Sequence, residues 1–162
     1  MKPRILVIRG GAIGDFILTL PALRLLRENF PAAHLEILGY KHIVSVAEGR
    51  YYVDAARSIE YAGLARFFMP NVERDPELVE YFGSFQQVVS YLYDPDGFFE
   101  ASVREAGVKN FLAGPGKLDD SEHASVQLAR PLEKLALFLD REAPELFPSP
   151  ADDAAADSVS IR

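Results

Sequence analysis

The segment Ile5-Leu6-Val7-Ile8, running into Arg9-Gly10-Gly11-Ala12-Ile13-Gly14-Asp15, restricts the fold more than any other stretch of the chain. Four consecutive apolar residues, two of them Ile and one Val, are the pattern of a strand buried on both faces, as strands of a parallel sheet are. Glycines at 10, 11 and 14 let the backbone turn sharply and leave it approachable. Phe16, Leu20 and Leu23 then recur at helical spacing, with Ile17 beside them. Strand, glycine turn and helix open a doubly wound α/β domain, whose ligands sit at the carboxyl ends of the strands.

The rest of the chain repeats that alternation. Strands are predicted over His34–Leu38, Ala56–Ile59, Gln87–Leu92 and Lys109–Leu112. Between them, helices are predicted over Lys41–Glu48 (closed by Gly49), Leu64–Met69, Pro76–Phe82 and Phe98–Ala106. Asp75-Pro76 is an N-cap followed by proline at the first helical position. His123–Leu139 reads as the longest helical segment. Pro21 leaves two expectations open, a kinked helix or a tight turn followed by a helix that starts at Pro21. The fold class expected is α/β, a parallel sheet with right-handed crossovers, helices on both faces and the first strand near its centre. Residues 1–142 are expected to form this domain. Pro144, Pro148, Pro150 and the run Asp152–Asp157 make 143–162 a linker, with Val159-Ser160-Ile161 as the possible start of a further strand.

Composition narrows the chemistry. The chain has no cysteine, which excludes a disulfide framework, a Cys-ligated metal and a thiol nucleophile. No apolar run approaches a membrane span, so a cytoplasmic location is expected. The net charge of −7 argues against a nucleic-acid partner. Residues 1–50 nonetheless carry seven Lys/Arg against four Asp/Glu, which leaves room for a local anionic ligand.

The glycine turn is not a dinucleotide fingerprint. Aligning Gly11 and Gly14 with the last two glycines of G-x-G-x-x-G puts Arg9 where the first should stand. No Lys-Ser/Thr follows, so it is not a phosphate-binding P-loop either. Asp15, directly after the turn, reads as a helix N-cap and also as a carboxylate at a strand's carboxyl edge, where a general base belongs. Arg9, Lys41 and His42 share that edge and are candidate acceptor contacts, the two cations for phosphates. His34, His42 and His123 have no metal-ligand spacing, so no metal site is expected. Asp94-Pro95-Asp96-Gly97 is first of all a turn. Tyr91 and Tyr93 are placed in packing or along a sugar-binding cleft, and Gly114-Pro115-Gly116-Lys117 forms a further loop at the ligand edge.

Taken together, Gly11-x-x-Gly14-Asp15, Thr19-Leu20-Pro21-Ala22-Leu23-Arg24-x-Leu26-Arg27 and Phe30-Pro31-Ala32 resemble the N-terminus of the bacterial heptosyltransferases of glycosyltransferase family 9. The strong resemblance covers about 38 residues, through Leu38. It implies a Rossmann-like half of a GT-B enzyme that moves a sugar, typically heptose, from a nucleotide sugar, ADP-linked in such enzymes, to lipopolysaccharide core or a related glycan. It implies inverting transfer without a metal or other cofactor, and Asp15 as the base. Arg9, Gly11, Ala12, Gly14, Lys41 and His42, by their place at the ligand edge, are the residues expected to bind the acceptor. The partners expected are the nucleotide sugar, a glycan or glycolipid acceptor with peripheral contact at the inner membrane face, and a C-terminal domain carrying most of the donor site. Without that domain, donor binding and turnover are expected to be poor. Two other readings stay open, a non-catalytic binding module of the same fold and a nicotinamide-dependent reductase domain.

Overall fold

The computed structural model of the chain describes residues 2–50 and 52–147. Five strands form one all-parallel sheet: β1 (Arg4–Arg9), β2 (His34–Gly39), β3 (Ala55–Ser58), β4 (Gln87–Ser90) and β5 (Asn110–Ala113), in the order β3-β2-β1-β4-β5. The most apolar strand therefore lies at the centre, as expected. Side chains alternate across it. Ile5 and Val7 enter one core, and Leu6 and Ile8 enter the other.

The first core lies under α1 (Ile13–Asn29), α2 (Lys41–Val44) and α5 (Ala124–Ala129). The second lies under α3 (Pro76–Gly83), α4 (Phe98–Glu105) and the 3₁₀ helix Ala62–Phe68, and is strongly aromatic. Phe67 meets Phe82 at 5.0 Å between centroids, and Phe99 stacks on Phe68 at 4.8 Å. Helices thus cover both faces of the sheet. Burying one such side chain stabilises the fold by about 1.5–3 kcal/mol.

Several expectations about single elements change. The helix predicted over Lys41–Glu48 keeps only α2, and 45–48 continue as i→i+3 turns such as Ala47 N–H to the Val44 carbonyl (3.1 Å). Ile43, Val44, Ser45 and Val46 are all weak helix formers, so the ladder tightens and stops. The His123–Leu139 helix is also divided. Alpha geometry ends with α5, a 3₁₀ turn spans Arg130–Leu135, and Ala136 at φ 59° closes it. Pro131 lacks the N–H that would continue the ladder. The longest helix among the described residues is α1, which includes Pro21 in its interior, so the alternative of a helix that starts at Pro21 gives way.

Asp75 caps α3 as expected, accepting from the Glu77 N–H at 2.9 Å. On the outer side of α1, Arg24 is almost wholly buried beneath the segment that follows Ala136. It donates to the Arg141 carbonyl (2.7 Å) and to Asp140 Oδ1 (3.2 Å). Of the linker expected over 143–162, only 143–147 are described. Tyr52 donates its hydroxyl to the Glu145 carbonyl, and Phe147 packs edge-on against Tyr52. The Asp152–Asp157 run and the strand expected near Val159 lie outside the described residues. Among the described residues no helix is long and apolar enough to cross a membrane.

Candidate active site

The glycine turn leaves the end of the central strand and sets the first turn of α1 against it. Gly11 has φ +90°, a conformation that L side chains rarely adopt, and a Cβ there would stand 2.6 Å from Asp15 Oδ2. The Ala12 carbonyl accepts from the Phe16 N–H at 3.2 Å, so the helix starts three residues earlier than an Asp15 N-cap requires. Ala12 is the N-cap and Asp15 the third helical residue. Its carboxylate reaches backwards, Oδ2 accepting from the Ala12 N–H at 2.9 Å. The N-cap reading of Asp15 is thereby corrected to the reciprocal position of a capping box, where a carboxylate satisfies an N–H that the helix leaves free.

Arg9 lies behind this carboxylate. Its guanidinium donates from Nε to Thr19 Oγ1 (3.0 Å), lies 3.9 Å from Asp15 Oδ1 and faces the Tyr91 ring at 5.6 Å. Thr19 in turn donates to the Asp15 carbonyl at 2.8 Å. Burial pushes the Arg9 guanidinium below its usual pKa, with Asp15 and Tyr91 opposing the shift. Burial also raises the Tyr91 phenol, whose hydroxyl donates to the Leu128 carbonyl at 2.5 Å. The result is a buried cation held under a half-exposed carboxylate.

That carboxylate opens into a cleft of about 340 Å³ at the carboxyl edge. Arg9, Gly10, Gly11 and Asp15 form one wall, and Leu92, Tyr93 and the Pro115-Gly116 loop form the other. Gly114 is fixed by packing, because a Cβ there would come within 2.2 Å of the Tyr91 ring.

The sequence candidates separate into two groups. Arg9, Gly11 and Asp15 line the cleft together. Ala12 and Gly14 stand exposed at the start of α1 beside it, with no atom within 4 Å of a Cβ built on Gly14. Lys41 and His42 lie on the β2 side and line no part of it. Lys41 Nζ donates to Glu48 Oε2 (2.8 Å) and to the Ala56 carbonyl (3.0 Å), and His42 is exposed beside Tyr40. Tyr91 and Tyr93 also part, the first into the core and the second into solvent at the cleft.

Asp94 serves the turn before α4, its two oxygens accepting from the Phe99 and Glu100 N–H groups (3.1 and 3.0 Å). His123 caps α5 through Nδ1, which accepts from the Ser125 N–H at 3.2 Å. Among the described residues no group of three or more His, Asp or Glu is placed to hold a metal ion. Sequence reading quoted Thr19 only within the family-like segment and missed its bonds to Arg9 and Asp15, for which the i+4 spacing from Asp15 was a signal.

Comparison with known proteins returns the fold. No protein-family model matches the chain, and no curated protein matches it. Solved structures do. The glycosyl transferase family 9 protein from Veillonella parvula superposes with a TM-score of 0.69 at 17% identity, over 96% of this chain and 48% of its own. The E. coli ADP-heptose lps heptosyltransferase II gives 0.60 at 16%, over 100% and 51%. E. coli heptosyltransferase WaaC with ADP gives 0.59 at 11%, over 96% and 53%. This chain is thus a Rossmann-like α/β domain with the fold of about half of each of these transferases.

Proposed function

We propose that the chain is the acceptor-binding, N-terminal half of a GT-B glycosyltransferase of family 9, with 1–142 as that domain and 143–162 leading out of it. The observation that carries this reading is the Asp15 carboxylate, half-exposed at the end of the central strand and facing an open cleft. The resemblance of the segment from Ile5 to Leu38 to that family and the likeness to half of three transferases support it.

In this reading Asp15 Oδ1 takes the proton of an acceptor hydroxyl. The hydroxyl oxygen bonds to the anomeric carbon of the donor sugar from the face opposite the leaving group. The bond to the nucleotide diphosphate breaks, its electron pair leaves with the diphosphate, and the configuration inverts. The donor is an ADP-linked sugar such as ADP-heptose, held mainly by the other half, and the acceptor is a glycan of the lipopolysaccharide-core type. Arg9 and Thr19 keep Asp15 and the first turn of α1 in place during the transfer.

Asp15→Asn separates base from cap in a protein that carries both halves. Asn at this position still accepts from the Ala12 N–H, so only the charge at the helix N-terminus is lost, about 0.3–1 kcal/mol. Turnover is expected to fall roughly 10²- to 10⁴-fold while the melting temperature moves by a few degrees at most. A kcat close to wild type in the folded variant would leave Asp15 a structural residue and remove the catalytic assignment.

A further inference from the structure

The loop after β4 carries an aromatic ring that the protein itself does not use. Tyr93 is 69% exposed. Among the described residues its hydroxyl makes no hydrogen bond and its ring meets no other aromatic ring or guanidinium. It is nonetheless held in place. Gly116 packs against it, and a Cβ there would stand 3.3 Å from Tyr93 Cδ2. Tyr93, with Leu92 and Gly116, belongs to the wall shared by the Asp15 cleft and a second lobe of about 220 Å³.

The polar lining of the second lobe is Ser90, Asp94 and Glu100, above Phe111. Ser90 is 3% exposed. Its Oγ accepts from the Leu92 N–H at 3.3 Å and donates to no described residue, so a buried hydroxyl hydrogen is left for a ligand. No lysine or arginine lines the lobe. The cations around it are placed elsewhere. Arg104 pairs with Glu100 at 3.0 Å and donates to the Lys109 carbonyl. Arg9 is committed beneath Asp15, and Lys117, in the loop after β5, lines neither lobe.

We infer that the second lobe holds the next sugar of the acceptor, stacked on Tyr93, and that this sugar is uncharged or amino-bearing rather than phosphorylated or carboxylated. The inference rests on the transferase reading and narrows its substrate. A pyranose presents C–H bonds to the negative face of an aromatic ring. Its hydroxyls donate to Asp94 and Glu100 and accept from Ser90, and an ammonium group pairs with the same two carboxylates. A phosphate or carboxylate accepts only. It would find one hydroxyl donor, the Asp94 carboxylate and a Glu100 carboxylate whose Arg104 partner is already engaged, an arrangement that disfavours such a ligand rather than selects it.

The test uses the 162-residue chain and sugar binding followed by NMR, with mannose, mannosamine and mannose 6-phosphate as probes that differ in charge on one ring. Mannose and mannosamine are expected to bind at least about fivefold more tightly than the phosphate. Tyr93→Ala is expected to weaken mannose binding about tenfold, and Tyr93→Phe and Tyr93→Trp to restore it, with all melting temperatures unchanged because the side chain is exposed. Mannose 6-phosphate binding as tightly as mannose, or mannose affinity indifferent to Tyr93→Ala, would overturn the inference. The assay needs neither donor nor turnover, so either result leaves the Asp15 test of the transferase reading standing.

Discussion

The two sides of the sheet treat their polar groups differently at the carboxyl edge. On the β2–β3 side, charges are matched within the chain. Lys41 meets Glu48 and the Ala56 carbonyl, and Glu48 also accepts from the Ala56 N–H; the matching extends to the amino end of the same two strands, where Asp54 accepts from Arg27 (2.7 Å) and the Leu35 N–H (2.9 Å). On the β4–β5 side, Asp15 and Tyr93 are left facing two clefts, with Ser90 buried in the wall of the second. A folded chain satisfies its polar groups unless something else is to satisfy them. In the proposed reading, unmet bonding capacity rather than charge marks the side of the domain that meets the acceptor.

That contrast can be broken most forcefully at the wall of the cleft. Gly114→Ala drives a methyl into the fixed Tyr91 ring. It is expected to destabilise the domain by about 1–3 kcal/mol in denaturant titration. A neutral result would show that the loop after β5 is free to move, and the shared wall at Tyr93 with it.

Gly14→Ala sharpens the contrast with an effect of opposite sign. Gly14 is helical and its Cβ direction is empty, so alanine is expected to stabilise the fold by about 0.5–1 kcal/mol. If acceptor approaches the start of α1, the same methyl lowers turnover in a protein with both halves. Gained stability with unchanged kcat and KM would take Gly14 out of the site.

The smallest effect belongs to the self-satisfied side. Burial works to raise the Asp54 carboxyl pKa, but the Leu35 N–H and Arg27 outweigh it and hold the group below the usual carboxylate range. A depressed folded pKa contributes stability that is complete above the unfolded value, about 3.9, and is lost as pH falls through the folded value. Asp54→Asn is therefore expected to cost about 0.2–1 kcal/mol at pH 7, discounted because the side chain is 41% exposed, and progressively less below pH ~4. Thermal melts from pH 7 to pH 3 read this directly. Sugar binding should be indifferent to the change, and a loss of it would erase the distinction between the two sides.

The sequence by itself settled what local interactions settle. The four-residue apolar run of β1, the glycine turn, the Asp75-Pro76 helix start and the strand–helix alternation are each decided within a few residues. Together they were enough for a parallel sheet with β1 in the middle. They also placed Arg9, Gly11 and Asp15 at one ligand edge. Helix lengths were less legible, because Pro131 and the run from Ile43 to Val46 act on the ladder only once the backbone has to choose between i→i+4 and i→i+3 bonds. Tertiary structure alone decided which edge residues meet. Arg9 and Lys41 read alike as edge cations, yet one is buried under Asp15 and the other is paired with Glu48 on the far side. Tyr91 parted from Tyr93 for the same reason. Each outcome depends on contacts between segments far apart in the chain, such as β1 beside β4 and the loop after β5 folded against both tyrosines. Loop closure over such separations leaves no periodic trace in the sequence, because its free energy comes from packing that exists only when the segments are already together.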